Sequence, residues 1–205
     1  MNGETLKDFT TELLAGRELG DTLFYQLLNN AKNRRERRRA WMKLRTVDSS
    51  NSVTSSTTFA TEFTMPTNFI RFYGKYPIRL VRGTDVVKLE EIPLEQLDEQ
   101  QNACGYFAVN HSTNKFYITG TWSQSYTVKI YHTAKSTAIA AGTEWVFGDD
   151  FALALCFDVA AQQKGDISYD DINARMVQYH GKSISDIDSA MILWDANLQV
   201  NSRGV

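Results

Sequence analysis

The hydrophobic positions change period twice along the chain. From residue 4 to 46 they recur every three to four residues, the spacing of amphipathic helices. Leu6, Phe9, Leu13 and Leu14 mark one stripe, Gly16 and Gly20 interrupt it, and Phe24, Leu27, Leu28 and Ala31 mark a second. Asp21 or Thr22 is placed to cap that second helix. From residue 59 to 133 the period falls to two. "FATEFTM", "FIRFYG", "IRLVRG", "VVKLEEI", "GYFAVN", "KFYITG" and "YTVKIYH" read as short strands with Gly or Pro between several of them, while "PLEQLDEQQ" (93–101) is more helix-like. In the last strand Tyr126, Val128 and Ile130 face one way and Lys129 and Tyr131 the other. From 144 to 199 the helical period returns through Phe151, Leu155 and Val159, with Ala152 and Cys156 beside them. Ser168 and Asp171 then form a capping pattern ahead of Ile172, Met176, Ile184, Ile187, Met191 and Trp194, with Gly181 as a break.

This order predicts an α+β protein: a helical bundle from N- and C-terminal helices with an inserted small antiparallel β module. Sequence-distant helices at the two ends bury one another's apolar faces. The expected boundaries are residues 1–46 for the N-terminal helices, 47–58 ("VDSSNSVTSSTT") for a Ser/Thr linker and 59–143 for the β module. Residues 144–195 complete the bundle and 196–205 form a polar C-terminal tail.

The composition is ordinary for a globular chain, 42% hydrophobic and 22% charged, so neither disorder nor a fibrous repeat is indicated. No apolar run approaches the ~18 residues a membrane span needs. The first residues lack the apolar core of a signal peptide, and Cys104 and Cys156 are isolated. A protein made in a reducing cytoplasm, without membrane contact, is the expectation.

Candidate chemistry is sparse. His111, His132 and His180 stand alone, without partners at metal-ligand spacing. "GDISYDD" (165–171) alternates carboxylates like a calcium loop but lacks the turn glycine, and Val177 stands where a bidentate acid is needed. Asp149 and Asp150 suit a helix start better than an acid–base pair. Phosphate loops and nucleophile elbows are missing too. No catalytic residue, metal or cofactor is expected. The aromatics Phe69, Phe72, Tyr73, Phe107, Phe116, Tyr117, Tyr126 and Tyr131 could make a base-stacking platform, but strand-alternating aromatics more often fill a core.

Charge changes the picture most. Residues 32–45 hold eight cations (Lys32, Arg34, Arg35, Arg37, Arg38, Arg39, Lys43 and Arg45) and one acid, Glu36. This segment carries +7 in a chain of net charge −2, which leaves −9 for the rest. The second apolar stripe continues through Arg34, Arg35 and Arg38 to Trp41 and Met42, so arginines occupy the stripe itself. A merely solvated face would leave that stripe apolar. The alternatives are a helix that binds nucleic acid and a helix that docks on an acidic protein surface. Arginine's planar fork pairs carboxylates in bidentate fashion and is enriched at interfaces, which favours docking.

The succession of motifs resembles the head-to-tail adaptor (connector, or tail tubular A-like) family of tailed bacteriophages. An arginine- and Trp-bearing helix ("RRRAWMKLR") precedes "TEFTMPTNFIRFYG", similar to the family's Pro-x-[Asp/Asn]-Phe-x-Arg element at Pro66, Asn68, Phe69 and Arg71. "YFAVNHSTNKFYITGTWSQSYTVKIYHTA" resembles its hairpin at Tyr117, Ile118, Gly120, Val128, Ile130 and Tyr131, and "GTEWVFGDDFALALCFDVAAQQKGD" its closing helix. The sequence departs from the pattern with "WSQS" where the turn often carries proline, and with Asn68 where aspartate is common.

The resemblance implies a non-enzymatic virion protein in the neck between head and tail, forming a homo-oligomeric ring, commonly a dodecamer. The ring would join the portal protein to a tail-side neck or nozzle protein and let double-stranded DNA pass, with non-specific DNA contact in the lumen left open. Arg34, Arg35, Arg37, Arg38, Arg39, Trp41, Lys43 and Arg45 are then the expected subunit or portal interface. Asn197, Leu198, Gln199, Val200, Asn201, Ser202 and Arg203 are the expected portal-docking tail.

Overall fold

The computed structural model of the chain describes residues 1–54 and 60–201. It divides into two compact units, residues 1–43 with 136–205 and residues 44–135.

The first unit is helical. Helix α1 (Gly3–Leu13) starts where Asn2 Oδ1 accepts the Thr5 N–H at 3.1 Å. α2 spans Asp21–Arg37, α3 Asp149–Gln163, α4 Tyr169–His180 and α5 Ile184–Asn201. The Ser168–Asp171 box caps α4, and Gly181, in the left-handed region at φ 67°, ends it. α3 lies at the centre and touches the other four helices. That position explains its composition: Leu153, Ala154, Leu155, Cys156, Val159 and Ala160 are buried on several sides, where a one-sided stripe would not suffice.

The second unit is a pair of sheets. Among the described residues the chain forms nine strands: β1 (Arg45–Val53), β2 (Ala60–Thr64), β3 (Phe69–Phe72), β4 (Ile78–Arg82), β5 (Asp85–Lys88), β6 (Glu90–Glu91), β7 (Tyr106–Asn110), β8 (Lys115–Thr119) and β9 (Tyr126–Ala134). One sheet runs β1-β9-β4-β5, with β3 also on β9; the other runs β2-β8-β7-β6. Their facing sides share one core. Val53, Ile78, Leu80, Val128 and Ile130 from the first sheet cluster with Phe107, Phe116 and Ile118 from the second.

The expected helical bundle with a small inserted β module is therefore corrected. The chain is α+β, but residues 44–135 form two sheets around their own core, and the β6–β7 pairing is parallel. Much of the difference lies in the Ser/Thr segment expected to be a linker, since residues 47–53 belong to β1. Among the described residues this strand lies at the sheet edge, pairs only with β9 and carries an irregularity between Asp48 and Asn51. An edge strand with a bulge tolerates exposed Ser, Asp and Asn, so the hydrophobic alternation that betrays a central strand is missing. The linker residues 55–58, and Phe59, fall outside the described residues. The helix-like stretch 93–101 is reduced to a 3₁₀ turn at Leu94–Gln96 followed by further turns.

Candidate functional site

The arginine-rich end of α2 is built as an ion-pair network inside the helical unit. Arg35 is 2% exposed and forks onto Asp158 of α3, with Nε at 2.7 Å and Nη2 at 2.9 Å from the two carboxylate oxygens. Its Nη1 donates to Asp188 of α5, which also meets Arg38 Nη1 at 3.5 Å. Burial pulls the Arg35 pKa down, but hydrogen bonding and charge from Asp158 and Asp188 more than offset this and leave it raised. Lys32, one turn earlier, and Glu36, the next residue, are also buried. Glu36 accepts the Ser136 N–H at 3.1 Å, the Ser136 hydroxyl and the Trp145 Nε1–H at 3.0 Å, while Lys32 Nζ donates to the Ser136 carbonyl at 2.8 Å. Each buried charge thus has an opposite charge and further hydrogen bonds, the condition under which such groups are tolerated.

Beyond Arg37 the chain leaves the helix. Trp41 is buried, its Nε1 donates to the Arg35 carbonyl at 3.0 Å, and the Arg39 guanidinium lies 5.1 Å from its ring centroid. Trp41 also meets Phe147 edge-on, and Phe147 in turn contacts Trp145 and Trp194. Asp195, 0% exposed, accepts the Met42 N–H at 2.6 Å and the Gln199 amide at 3.0 Å, and pairs with Arg39 at 3.4 Å.

Arg35, Arg38, Arg39 and Trp41 from this segment, with Asp188, Met191 and Ile192 of α5, line a cavity of about 230 Å³. Its lining combines apolar Trp41, Met191 and Ile192 with three arginines and Asp188. Two large apolar side chains of α5 are exposed, Ile192 of the lining at 49% and its neighbour in sequence, Leu193, at 64%.

Of the interface residues expected from sequence, Arg34, Arg37, Arg38 and Lys43 are exposed and Arg39 is half-buried. Arg35 and Trp41 are buried in contacts within the helical unit, and both face outward only through the cavity they line. Arg45 belongs to β1 of the second unit, where its guanidinium lies over the Tyr73 ring. The tail is corrected in part. Residues 197–201 continue α5, whereas Ser202 and Arg203 lie outside the described residues.

Asp158, Asp188 and Asp195 were not foreseen as partners. One signal was present: Asp188 and Asp195 are seven residues apart, two helical turns, and share a face, while Arg35 and Arg39 are four apart. Among the described residues no group of three or more His, Cys, Asp or Glu side chains could hold a metal ion. No helix among them is long and apolar enough to cross a membrane. Cys156 is buried and its thiol is pushed up to about 12 by that burial, against a reactive role. No family model and no curated protein matches the sequence.

Proposed function

We propose that the chain is a structural virion protein of a tailed-phage neck. It assembles as a ring that joins the portal to a tail-side protein and leaves a bore for double-stranded DNA. The observation that carries this reading is the surface at the 230 Å³ cavity, where half-exposed Ile192 lies with Arg38, Arg39 and buried Trp41, and the next residue of α5, Leu193, is 64% exposed. Apolar anchors beside arginines around a desolvated pocket are the composition of a protein–protein hot spot. A ring needs a heterologous contact that closes on itself, and a localised apolar–cationic patch suits one. The motif resemblance supports the same reading. Under it, the last turn of α5 (Asn197–Asn201) docks on the portal as helix.

Electron microscopy and native mass measurement of the purified protein, alone and with its portal, test the proposal. Rings are expected, and Ile192→Asp with Leu193→Asp should dissolve them into folded monomers. A protein that stays monomeric with portal present, and is absent from virions, refutes it. The alternative of nucleic-acid binding by helix 32–45 is weakened, because Asp158, Asp188 and Asp195 neutralise Arg35, Arg38 and Arg39.

A further inference from the structure

The five-stranded sheet has two chemically different faces. Side chains alternate along each strand, so the registers sort the residues. Toward the shared core point Ile78, Leu80, Val128 and Ile130, together with Val53, Phe72 and Val87. On the other face Arg79 pairs with Lys129 on one side and Lys88 on the other. Arg45 and Arg71 both pair with Thr133, and Val47 pairs with Tyr131. Ser52, Val81, Val86 and Thr127 share the same face. This face therefore carries five cations, Arg45, Arg71, Arg79, Lys88 and Lys129.

None of the eight carboxylates of residues 44–135 shares it. Glu62, Glu90 and Glu91 belong to the other sheet, and Glu95, Asp98 and Glu99 to the 3₁₀ turn and the residues after it. Asp48 pairs with Ile130, hence on the core side, and Asp85 pairs with Arg82 at the hairpin end. The unit is close to neutral in sequence yet strongly polarised in space.

Tyrosines hold several of these cations in place. The Arg79 guanidinium lies 4.4 Å from the Tyr131 centroid, and its Nε donates to the Tyr76 carbonyl at 3.3 Å. Arg45 lies 4.9 Å from Tyr73, which meets Tyr131 edge-on. Lys75 and Lys88 approach Tyr76 at 5.1 and 5.6 Å. Arg71, Lys75 and Lys88 are exposed, and Arg79 and Lys129 half-buried.

We propose that this sheet face binds the phosphodiester backbone of duplex DNA without reading its sequence. Uniform sign over several strands matches a polyanion. The tyrosine rings are occupied by cations, which suits phosphate contact better than base stacking. An acidic protein is a poorer match, because the face offers three valines as its only aliphatic anchors, and lysine is depleted at protein interfaces. The proposal does not depend on the ring reading.

Anisotropy of a labelled mixed-sequence duplex, titrated with the full chain across a salt series, tests it. Four to five phosphate contacts predict a slope of about −4 in log affinity against log salt, or roughly 250-fold weaker binding at 200 than at 50 mM. The triple variant Arg79→Gln, Lys88→Gln, Lys129→Gln should flatten the slope by about 2.7. Arg34→Gln with Arg37→Gln on α2 should leave it unchanged. Circular dichroism confirms that each variant is folded, and Lys88→Gln with Lys129→Gln replaces the triple if it is not. Absence of duplex binding at low salt overturns the proposal, as does an unchanged slope in the sheet variant or loss of binding in the α2 variant instead. A sheet variant that blocks association between copies while retaining DNA binding makes the face a protein interface, and also overturns it.

Discussion

Replacing Arg35 gives the sharpest test of how the helical unit is held together. Arg35→Ala removes a 2%-exposed guanidinium and leaves Asp158 and Asp188, with side chains 17% and 35% exposed, without their shared cation. Breaking a buried pair from one side costs ~3–5 kcal/mol, because an uncompensated charge remains. Asp188 also keeps Arg38 and can rehydrate, so the lower end applies, about 3 kcal/mol. With a urea m-value of ~2 kcal/mol/M, the unfolding midpoint should fall by about 1.5 M. The two units need not unfold together, so the signal must be local. Tryptophan fluorescence supplies it, since Trp41, Trp145 and Trp194 lie in the helical unit and only Trp122 in the other. Arg35→Met with Asp158→Leu should recover part of the loss, by at least ~1.5 kcal/mol of coupling. A midpoint shift below about 0.5 M for Arg35→Ala would show that the carboxylates resolvate freely and that the network contributes little.

Gly120→Ala should destabilise the β unit by about 2 kcal/mol or more, seen as a lower thermal midpoint. The backbone there has φ +91°, and a Cβ would stand 2.8 Å from the Cys104 Cα and 2.9 Å from its nitrogen. In the native protein a thiol reagent at pH 8 should label Cys104, which is exposed, and spare Cys156, with a second equivalent reacting only in denaturant. The Cys156 pKa rises from an ordinary 9.0 to about 12, so the unfolded thiol ionises first. Its stabilising contribution is complete below pH 9 and is lost as pH climbs toward 12, measurable by alkaline urea titration. His180 shifts the other way: burial lowers its pKa, and its Nε2 is buried without a hydrogen-bond partner. The unfolded imidazole protonates first, so stability falls as pH drops below about 6.5. His180→Asn should flatten that acid limb in a pH-jump unfolding series.

The local parts of the structure were legible in the sequence. Phe24, Leu28 and Ala31 are buried as their spacing implied, the Ser168–Asp171 box is formed, and Val128 and Ile130 face opposite to Lys129 and Tyr131. What escaped is non-local. β1 lacks hydrophobic alternation and is a strand because β9, some eighty residues away, pairs with it. "QVN" continues α5 although it carries no helix signal beyond the stripe before it. Of the arginines placed on the apolar stripe of α2, Arg35 is buried while Arg34 and Arg38 are exposed, and the acids of Arg35 lie 123 and 153 residues further on. Spacing shows which face a charge occupies; it does not show which distant carboxylate meets it. The aromatics divided likewise. Phe107 and Phe116 entered the core, and Tyr73 and Tyr131 went to the opposite face as cation seats.

That long separation between Arg35 and its carboxylates has a consequence in time. The ribosome makes α2 first, then the whole of residues 44–135, and only afterwards Asp158, Asp188 and Asp195. At ~5–20 residues per second, about 8–30 s pass between the synthesis of Arg35 and that of Asp188. Until Asp158 is made, the cationic end of α2 has none of the three carboxylates that pair Arg35, Arg38 and Arg39, beside a messenger and a ribosome that are both polyanions. The β unit, whose strand pairings among the described residues all lie between residues 45 and 134, can close during the wait, whereas the helical unit cannot.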